Sequence, residues 1–157
     1  MTKTDYRLLT SQLLALLGQE TDALAATSNF VAFLYDAMDD VNWLGVYVLR
    51  GDELVLGPFQ GKPACVRIEL GDGVCGTAAA TLCTQRVDDV HAFPGHIACD
   101  TESRSEIVVP LIAHRELIGV LDIDSPSLAR FDEADQHGIE ALCKTFCGLQ
   151  ESRDSFI

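Results

Sequence analysis

Three of the six cysteines in this 157-residue chain lie in or beside segments rich in glycine and proline, where a packed structural thiol is unusual. They are Cys65, at the end of GPFQGKPAC, Cys75, within GVCG, and Cys99, within FPGHIACD. A cysteine in irregular backbone readily becomes reactive. Cys75 also lies at the start of a predicted helix, whose free amides and dipole favour a thiolate. The placement of these cysteines therefore predicts redox chemistry.

A zinc site is the alternative interpretation of the same cysteines. Cys65, Cys75 and Cys99, with His91 or His96, would supply enough soft ligands for one zinc ion. Their spacings of 10 and 24 residues include no Cys-x-x-Cys pair, which argues against this site. The two histidines flank a long loop and are candidates for orienting it or for raising the thiolate fraction of Cys99. Hydrogen bonding of these rings to backbone is an equal alternative.

The remaining cysteines and histidines are expected to be structural or on the surface. Cys143 and Cys147 are four residues apart on the last predicted helix, so they share a face and are expected to pack as small apolar groups. Cys83 ends a short predicted helix without a polar cluster nearby and is also interpreted as structural. His114, in a predicted turn, and His137, near the start of a helix, are expected at the surface.

Three carboxylates lie on strands that are otherwise apolar. Glu106 is part of SEIVVP, and Asp122 and Asp124 are part of GVLDIDSP. The two aspartates point to the same face, because side chains two residues apart on a strand do so. Buried carboxylates are costly unless they bind something, so this set predicts a binding site. Trp43 and Tyr47 also share a face of a strand, where by themselves they are typical of core aromatics.

The periodicity of apolar residues predicts an α+β (α/β) fold, a mainly antiparallel six-stranded sheet with helices packed against it. A loop as long as residues 91–104 inside a compact domain is more often functional than accidental. The predicted elements are helices over 5–18 and 22–39, strands over Val41–Leu49, Glu53–Leu56 and Val66–Ile68, a helix over Val74–Leu82, a strand over Arg86–Val90, strands over Ile107–Ile112 and Leu117–Ile123, and a helix from an Asp132 cap to about Gln150.

Charge and hydropathy exclude several classes of partner. The chain has 24 acidic and 11 basic residues and a formal net charge of −13, so nucleic acid and anionic membranes are poor partners. An ammonium-bearing small molecule suits such a protein better. The chain has no apolar run long enough to span a membrane and no signal-peptide pattern, so a cytoplasmic location is expected.

Five segments resemble, in their order and spacing, those of the free methionine-(R)-sulfoxide reductases, single-domain enzymes with a GAF fold. The resemblance extends from about Trp43 to the final helix, and it implies one GAF domain over residues 1–157 with a pocket under the long loop. It also implies a function in oxidative-stress defence without any cofactor or metal. The segments are Gly57–Cys65, Gly73–Gly76, Phe93–Asp100, Ser105–Pro110 and Gly119–Pro126.

The resemblance implies a role for each cysteine. Cys99 matches the catalytic cysteine that attacks the sulfoxide and becomes a sulfenic acid. Cys65 matches the cysteine that resolves it as a disulfide, which thioredoxin then reduces. Cys75 matches a third cysteine that assists or substitutes.

The resemblance also implies a substrate site for free methionine-(R)-sulfoxide. Glu106, Asp122 and Asp124 match its carboxylates, with Glu106 and Asp124 also serving catalysis, and Trp43 and Tyr47 match its aromatic wall. The alternative is a non-catalytic GAF module that senses a small molecule. Amphipathic terminal helices make a homodimer an expectation in either case.

Overall fold

The computed structural model describes residues 3–97, 100–153 and 156–157. No helix within these ranges is both long and apolar enough to cross a lipid bilayer. The elements are helices α1 (Tyr6–Leu17), α2 (Ala23–Ala37), α3 (Gly73–Thr81) and α4 (Glu133–Gln150), and strands β1 (Trp43–Arg50), β2 (Glu53–Gln60), β3 (Arg67–Glu69), β4 (Gln85–Val87), β5 (Ser105–Ala113) and β6 (Glu116–Ser125).

The six strands form one sheet in the order β3-β2-β1-β6-β5-β4, and all five neighbouring pairs are antiparallel. The predicted α+β class and the antiparallel sheet are confirmed. β1 and β6 lie at the centre, although 65 residues separate their ends. This long-range pairing brings the aromatic residues of β1 beside the carboxylates of β6.

Alternating residues of the central strands face two different apolar clusters. From β1, Leu44, Val46 and Val48 join the larger cluster, while Trp43 and Tyr47 join the smaller one. Helices α1, α2 and α4 contribute buried residues to the larger cluster, and α3 contributes to the smaller one. The two faces predicted from the period of two in β1 are therefore confirmed.

The ends of the helices follow from their capping residues. Asp5, Asp22 and Asp132 each accept a hydrogen bond from a backbone amide in the first turn of the helix that follows. The Tyr6 hydroxyl donates a 2.6 Å hydrogen bond to Asp135 Oδ1, which ties α1 to the start of α4. These contacts fix the helical layer against one face of the sheet.

Two predicted boundaries are wrong. β2 continues to Gln60 rather than ending at Leu56, with a register shift against β1 in the region of Pro58. A proline is tolerated where a bulge interrupts the ladder of hydrogen bonds. The strand predicted over Arg86–Val90 is limited to Gln85–Val87, because Asp89 accepts a hydrogen bond from the His91 amide and caps a short 3-10 helix over Val90–Ala92.

Of the three cysteines that were expected to be structural, two are buried and one is exposed. Cys143 and Cys147 are buried in the larger cluster, as predicted. Cys83 is an exposed free thiol, so its interpretation as a packed residue is wrong. The helix preceding it ends at Thr81, and Leu82 adopts a left-handed conformation, so Cys83 lies in the short connection between α3 and β4. His114 and His137 are exposed, as expected.

Candidate active site

The three predicted carboxylates meet on the face of the sheet that α3 covers. Glu106 of β5 is the register partner of Asp124 of β6, and Asp122 lies two residues along the same strand. Glu106 and Asp122 are buried, with 5% and 6% of their surface exposed. The strand alternation predicted the shared face of the aspartates, and the β5–β6 pairing adds Glu106 to them.

Burial and mutual repulsion keep protons on this cluster. Burial raises the pKa of Glu106 well above its usual range, and the charges of Asp122 and Asp124 raise it further. Burial also raises the pKa of Asp124, with a contribution from Asp122. The pKa of Asp122 rises only to about 6, because hydrogen bonds from Glu106 and Cys75 partly offset the effect of burial. Of the two groups, Glu106 is therefore the one on which a proton is preferred, and Asp122 is the more readily ionised.

One oxygen of Asp122 has no hydrogen-bond partner. Asp122 Oδ1 is buried and unpaired among the described residues. A buried anionic oxygen without a donor is costly, so it favours a ligand that carries a proton donor or a positive charge.

Cys75 lies in the first turn of α3, directly above the carboxylates. It is buried, and its side chain hydrogen bonds to Asp122. Burial raises the pKa of its thiol well above the usual range, and the charges of Asp122 and Glu106 add to the effect. The prediction that the helix start favours a Cys75 thiolate is wrong, because the dipole of a short helix is a weaker effect than burial beside anions.

The ligand atoms of Cys75, Glu106 and Asp122 lie within 4.8 Å of one another, close enough to share one ion. The raised pKa values of all three groups mean that protons compete for these positions. Cys65 is disulfide-bonded, so its sulfur is not a thiolate ligand for zinc. The alternative zinc set built on Cys65, Cys75 and Cys99 therefore lacks one of its ligands.

Trp43 and Tyr47 form a stacked wall beside the carboxylates, with ring centroids 5.9 Å apart. Phe59 of β2, which sequence patterns did not indicate, extends the wall with its ring centroid 5.5 Å from Trp43. The polar atoms of Trp43 and Tyr47 point to the segment that carries Cys65. Trp43 Nε1 donates to the Lys62 carbonyl at 3.0 Å, and the Tyr47 hydroxyl donates to the Cys65 carbonyl at 3.0 Å.

The segment over 61–66, which we term the strap, thus holds Cys65 next to the aromatic wall. At Gly61 the backbone has φ +125, and a Cβ would lie 2.6 Å from Trp43 Cδ1, so only glycine fits there. Cys99, the predicted nucleophile, lies outside the described residues. Its role and its pairing with Cys65 remain predictions.

The described part of the long loop lies over the cluster. His96 Nε2 is 3.8 Å from Glu106 Oε2. Asp100 Oδ2 accepts a hydrogen bond from Asn42 Nδ2 at 3.2 Å, and the same amide donates to Ser103 Oγ. Asn42, Asp100 and Ser103 were not among the predicted residues, because nothing local in the sequence relates Asn42 to a loop 58 residues away.

The enclosed space is small. The cavity beneath the loop is lined by Tyr47, Cys75, His96, Glu106 and Asp122, among others, and has a volume of about 30 Å³. A smaller cavity of about 10 Å³ adjoins it between Trp43, Tyr47 and Asp124. Such volumes hold a water or two, so the structure represents a closed form of the site.

The chain is similar to known proteins along most of its length. Residues 10–147 match the GAF domain family. The chain is 53% identical over 143 residues to the free methionine-R-sulfoxide reductase of Escherichia coli, which covers 90% of this chain and 87% of that protein.

Two solved structures with bound substrate are also similar. The fRMsr of Staphylococcus aureus in complex with substrate superposes with a TM-score of 0.90 at 49% identity, covering 95% of this chain and 97% of that one. The free methionine-R-sulfoxide reductase of Neisseria meningitidis in complex with its substrate gives a TM-score of 0.91 at 44% identity, covering 97% and 94%.

Proposed function

The chain belongs to the GAF-domain family of free methionine-R-sulfoxide reductases, and we propose that Cys99, Cys65 and the carboxylate cluster carry out its reaction on free L-methionine-(R)-sulfoxide. The observation that supports this most is the unequal acidity of two groups in one buried cluster. Glu106 is the group on which a proton is preferred, and Asp122, the more acidic of the two, has a buried oxygen without a hydrogen-bond partner among the described residues. One group is suited to catalysis and the other to binding.

The first step reduces the sulfoxide. The Cys99 thiolate attacks the electrophilic sulfur while a carboxylic acid protonates the sulfoxide oxygen. The oxygen ends on the Cys99 sulfur as sulfenic acid, and methionine is released with the two electrons that the thiolate supplied. Glu106 is the proton donor in this scheme, with Asp124 as its paired neighbour.

The second step restores the thiol. The Cys65 sulfur attacks the sulfenic acid, water leaves, and a Cys65–Cys99 disulfide forms. A thioredoxin then reduces this disulfide by thiol–disulfide exchange. Cys75 is the third cysteine, and its raised pKa makes it a poor nucleophile at neutral pH, which favours Cys65 as the resolving residue.

The anionic cluster also supports selection of the free amino acid. The α-ammonium of the substrate would meet Asp122 Oδ1, whereas a residue within a peptide carries no charge at that position. The rings of Trp43 and Tyr47 offer an apolar wall for the methyl group of the sulfoxide. Because the closed cavity holds only a water or two, the loop that carries His96 and Asp100 must shift to admit this substrate.

Counting thiols tests this proposal against the alternative of a ligand-sensing GAF module. Reduced protein mixed with one equivalent of free methionine-(R)-sulfoxide should lose two thiols and release one methionine. Methionine itself is the control and should leave the count unchanged. Cys99→Ser should abolish methionine release, and Cys65→Ser should retain one turnover and then stop as the sulfenic acid.

Two outcomes would contradict the scheme. A full thiol count after mixing, with substrate bound, would favour the sensor. Multiple turnovers by Cys65→Ser would show that Cys75, rather than Cys65, resolves the sulfenic acid.

The proposal also includes a homodimer. Large apolar side chains on the outer faces of α1 and α2 support it, since Leu8, Leu14, Leu16 and Leu24 are 46–54% exposed. Light scattering at micromolar concentration should give twice the mass of the chain. Replacing Leu8 and Leu16 with lysine should return the mass to that of one chain, and a monomeric wild type would exclude this part of the proposal.

A further inference from the structure

His96 separates the buried acid from solvent. Its Nε2 lies 3.8 Å from Glu106 Oε2, and 13% of the His96 side chain is exposed against 7% for Glu106. Glu106 is surrounded on its other sides by Asp122, Asp124 and Cys75. The imidazole is therefore in contact with the acid and also reaches the protein surface.

The position of His96 is built into the fold. Its amide donates to the Phe93 carbonyl at 3.2 Å across a turn in which Gly95 has φ +73. The next residue, Ile97, packs on Gly73 at the start of α3, where a Cβ would lie 3.2 Å from the Ile97 side chain. The turn and this apolar contact together hold the imidazole above Glu106.

We propose that His96 relays a proton from solvent to Glu106 after each turnover. This rests on the proposed function, in which Glu106 gives its proton to the sulfoxide oxygen. The carboxylate left behind is only 7% exposed and has anionic neighbours, so its direct protonation from bulk water is restricted. Imidazolium Nε2–H transfers its proton to Glu106 Oε2, and the neutral imidazole then takes a proton from solvent, so each cycle moves one proton inward.

The acidities of the two groups suit this direction of transfer. Burial lowers the pKa of His96, and the charge of His91 lowers it further. The pKa of Glu106 is raised by burial and by its aspartate neighbours. The His96 imidazolium, as the proton donor, is therefore more acidic than usual, and the Glu106 carboxylate, as the acceptor, is more basic than usual. The 3.8 Å separation is bridged by a short movement of the ring or by one water, for which the cavity has room.

The groups that face His96 come from several elements. His91 of the 3-10 helix lies edge-on, with ring centroids 6.3 Å apart. Glu106 of β5, Asp122 and Asp124 of β6, Cys75 of α3 and Asp100 of the loop line the same cavity. His91 is exposed, and of the two rings it is His96 that lies within 4 Å of a Glu106 oxygen, so His91 is the matched control for His96.

The test compares His96→Gln with His91→Gln. Glutamine keeps a polar side chain of similar reach but cannot carry a proton. In dilute, non-transferring buffer with saturating dithiol, His96→Gln should release methionine normally in the first turnover, for which Glu106 is already protonated. Its kcat should then fall at least tenfold. Added imidazole should restore kcat in a saturable way. His91→Gln should keep a kcat near that of the wild type, with the limb of its pH profile moved to higher pH because the His91 charge that lowers the pKa of His96 is gone.

The pH profile gives a readout that a merely structural role would not change. The wild-type profile of kcat should contain a limb near the pKa of His96, and His96→Gln should lose it. A wild-type kcat and pH profile in His96→Gln would overturn the relay. So would a first turnover as slow as later ones and not rescued by imidazole, since this would assign His96 a structural role. A wild type that does not reduce the sulfoxide would overturn the proposed function itself.

Discussion

The Tyr47 hydroxyl donates a 3.0 Å hydrogen bond to the backbone carbonyl of Cys65, so the wall of the pocket and the predicted resolving cysteine are directly connected. Trp43 makes the equivalent bond to Lys62, three residues earlier in the strap. A single strand therefore lines the pocket and positions the strap. A change in the ring that is proposed to contact substrate would therefore also alter the position of the cysteine that is proposed to complete the cycle.

Tyr47→Phe should separate these two roles. The ring remains to pack against substrate, but the Cys65 carbonyl loses its donor, at a cost of about 1–3 kcal/mol. Methionine release in a single turnover should stay near the wild-type rate, while disulfide formation slows and the sulfenic acid accumulates. Trapping with dimedone measures that species. Tyr35→Phe, on α2, is the control, and equal dimedone labelling of both variants would refute the coupling.

Asp122→Asn should weaken substrate binding. The amide keeps the volume but removes the charge that would meet the α-ammonium, a contact worth about 1.5–3 kcal/mol. KM should therefore rise roughly 10- to 100-fold, with a smaller effect on kcat. N-acetylated methionine sulfoxide should be a poor substrate of the wild type and should lose its disadvantage in the variant. Equal turnover of the free and blocked compounds by the wild type would disprove the ammonium contact.

Glu106→Gln should act mainly on kcat. An amide of the same shape cannot deliver a proton, and loss of a positioned acid costs roughly 10²- to 10⁴-fold. Asp124→Asn should lower kcat less, because Asp124 acts beside Glu106 in the register pair. Rapid quench of the first turnover gives the chemical rate directly. A larger loss of kcat in Asp124→Asn than in Glu106→Gln would identify Asp124, rather than Glu106, as the proton donor.

The free energy of unfolding should fall as the pH rises from about 4. The pKa of Asp122 is about 6 in the folded protein against 3.8 as its ordinary value, and those of Glu106 and Asp124 are also raised. A carboxyl group whose pKa is higher in the folded protein than in the unfolded chain stabilises the fold fully at a pH below the unfolded pKa. This stabilisation is lost as the pH rises through the folded pKa. Asp122 therefore lowers the free energy of unfolding as the pH rises from about 4 to 6, by ~1.4 kcal/mol per pH unit.

Urea unfolding from pH 4 to pH 8 measures this dependence. Glu106→Gln should unfold with a shallower dependence on pH than the wild type, because it lacks one of the titrating groups. Asp132→Asn, at the exposed cap of α4, is a control outside the cluster. A wild-type stability that rises steadily across this interval would show that the cluster is ionised in the folded protein.

The three remaining thiols should differ in accessibility rather than in function. Cys143→Ala and Cys147→Ala should each cost on the order of 1 kcal/mol, because they remove small buried groups, and should leave kcat unchanged. Cys83 should react first with a maleimide, since it is exposed and free. Mass spectrometry of partially labelled protein shows the order. Labelling of Cys143 ahead of Cys83 would contradict the burial described above.

Local patterns in the sequence predicted the strands that carry the site. The period of two in β1 and the spacing of Asp122 and Asp124 were enough to place these residues on one face, because side-chain direction along a strand depends only on sequence position. The helices were equally accessible, through the spacing of their apolar residues and, for α4, through its Asp132 cap. These features require no knowledge of which strands are neighbours.

The protonation states were not accessible in the same way. Cys75 was expected to be a thiolate from its helix alone, but its pKa depends on Asp122 and Glu106, which come from strands more than 30 residues further along the chain. The contact of Asn42 with Asp100 and that of His96 with Glu106 likewise arise only from folding. Electrostatics at the site depends on long-range pairing, which local patterns do not contain.

The alternation along β6 also limits how the length of the chain can change. Leu121 and Ile123 face the helical cluster, and Asp122 and Asp124 face the pocket, one residue out of phase. Deleting one residue ahead of Asp122 would turn both carboxylates into the helical core and two aliphatic side chains into the pocket. Between Val120 and Ser125, where the β5–β6 register is unbroken, residues can therefore be exchanged but not added or removed. The register shift beside Leu111 and Ile112 shows that the strand pair accommodates a bulge outside this stretch.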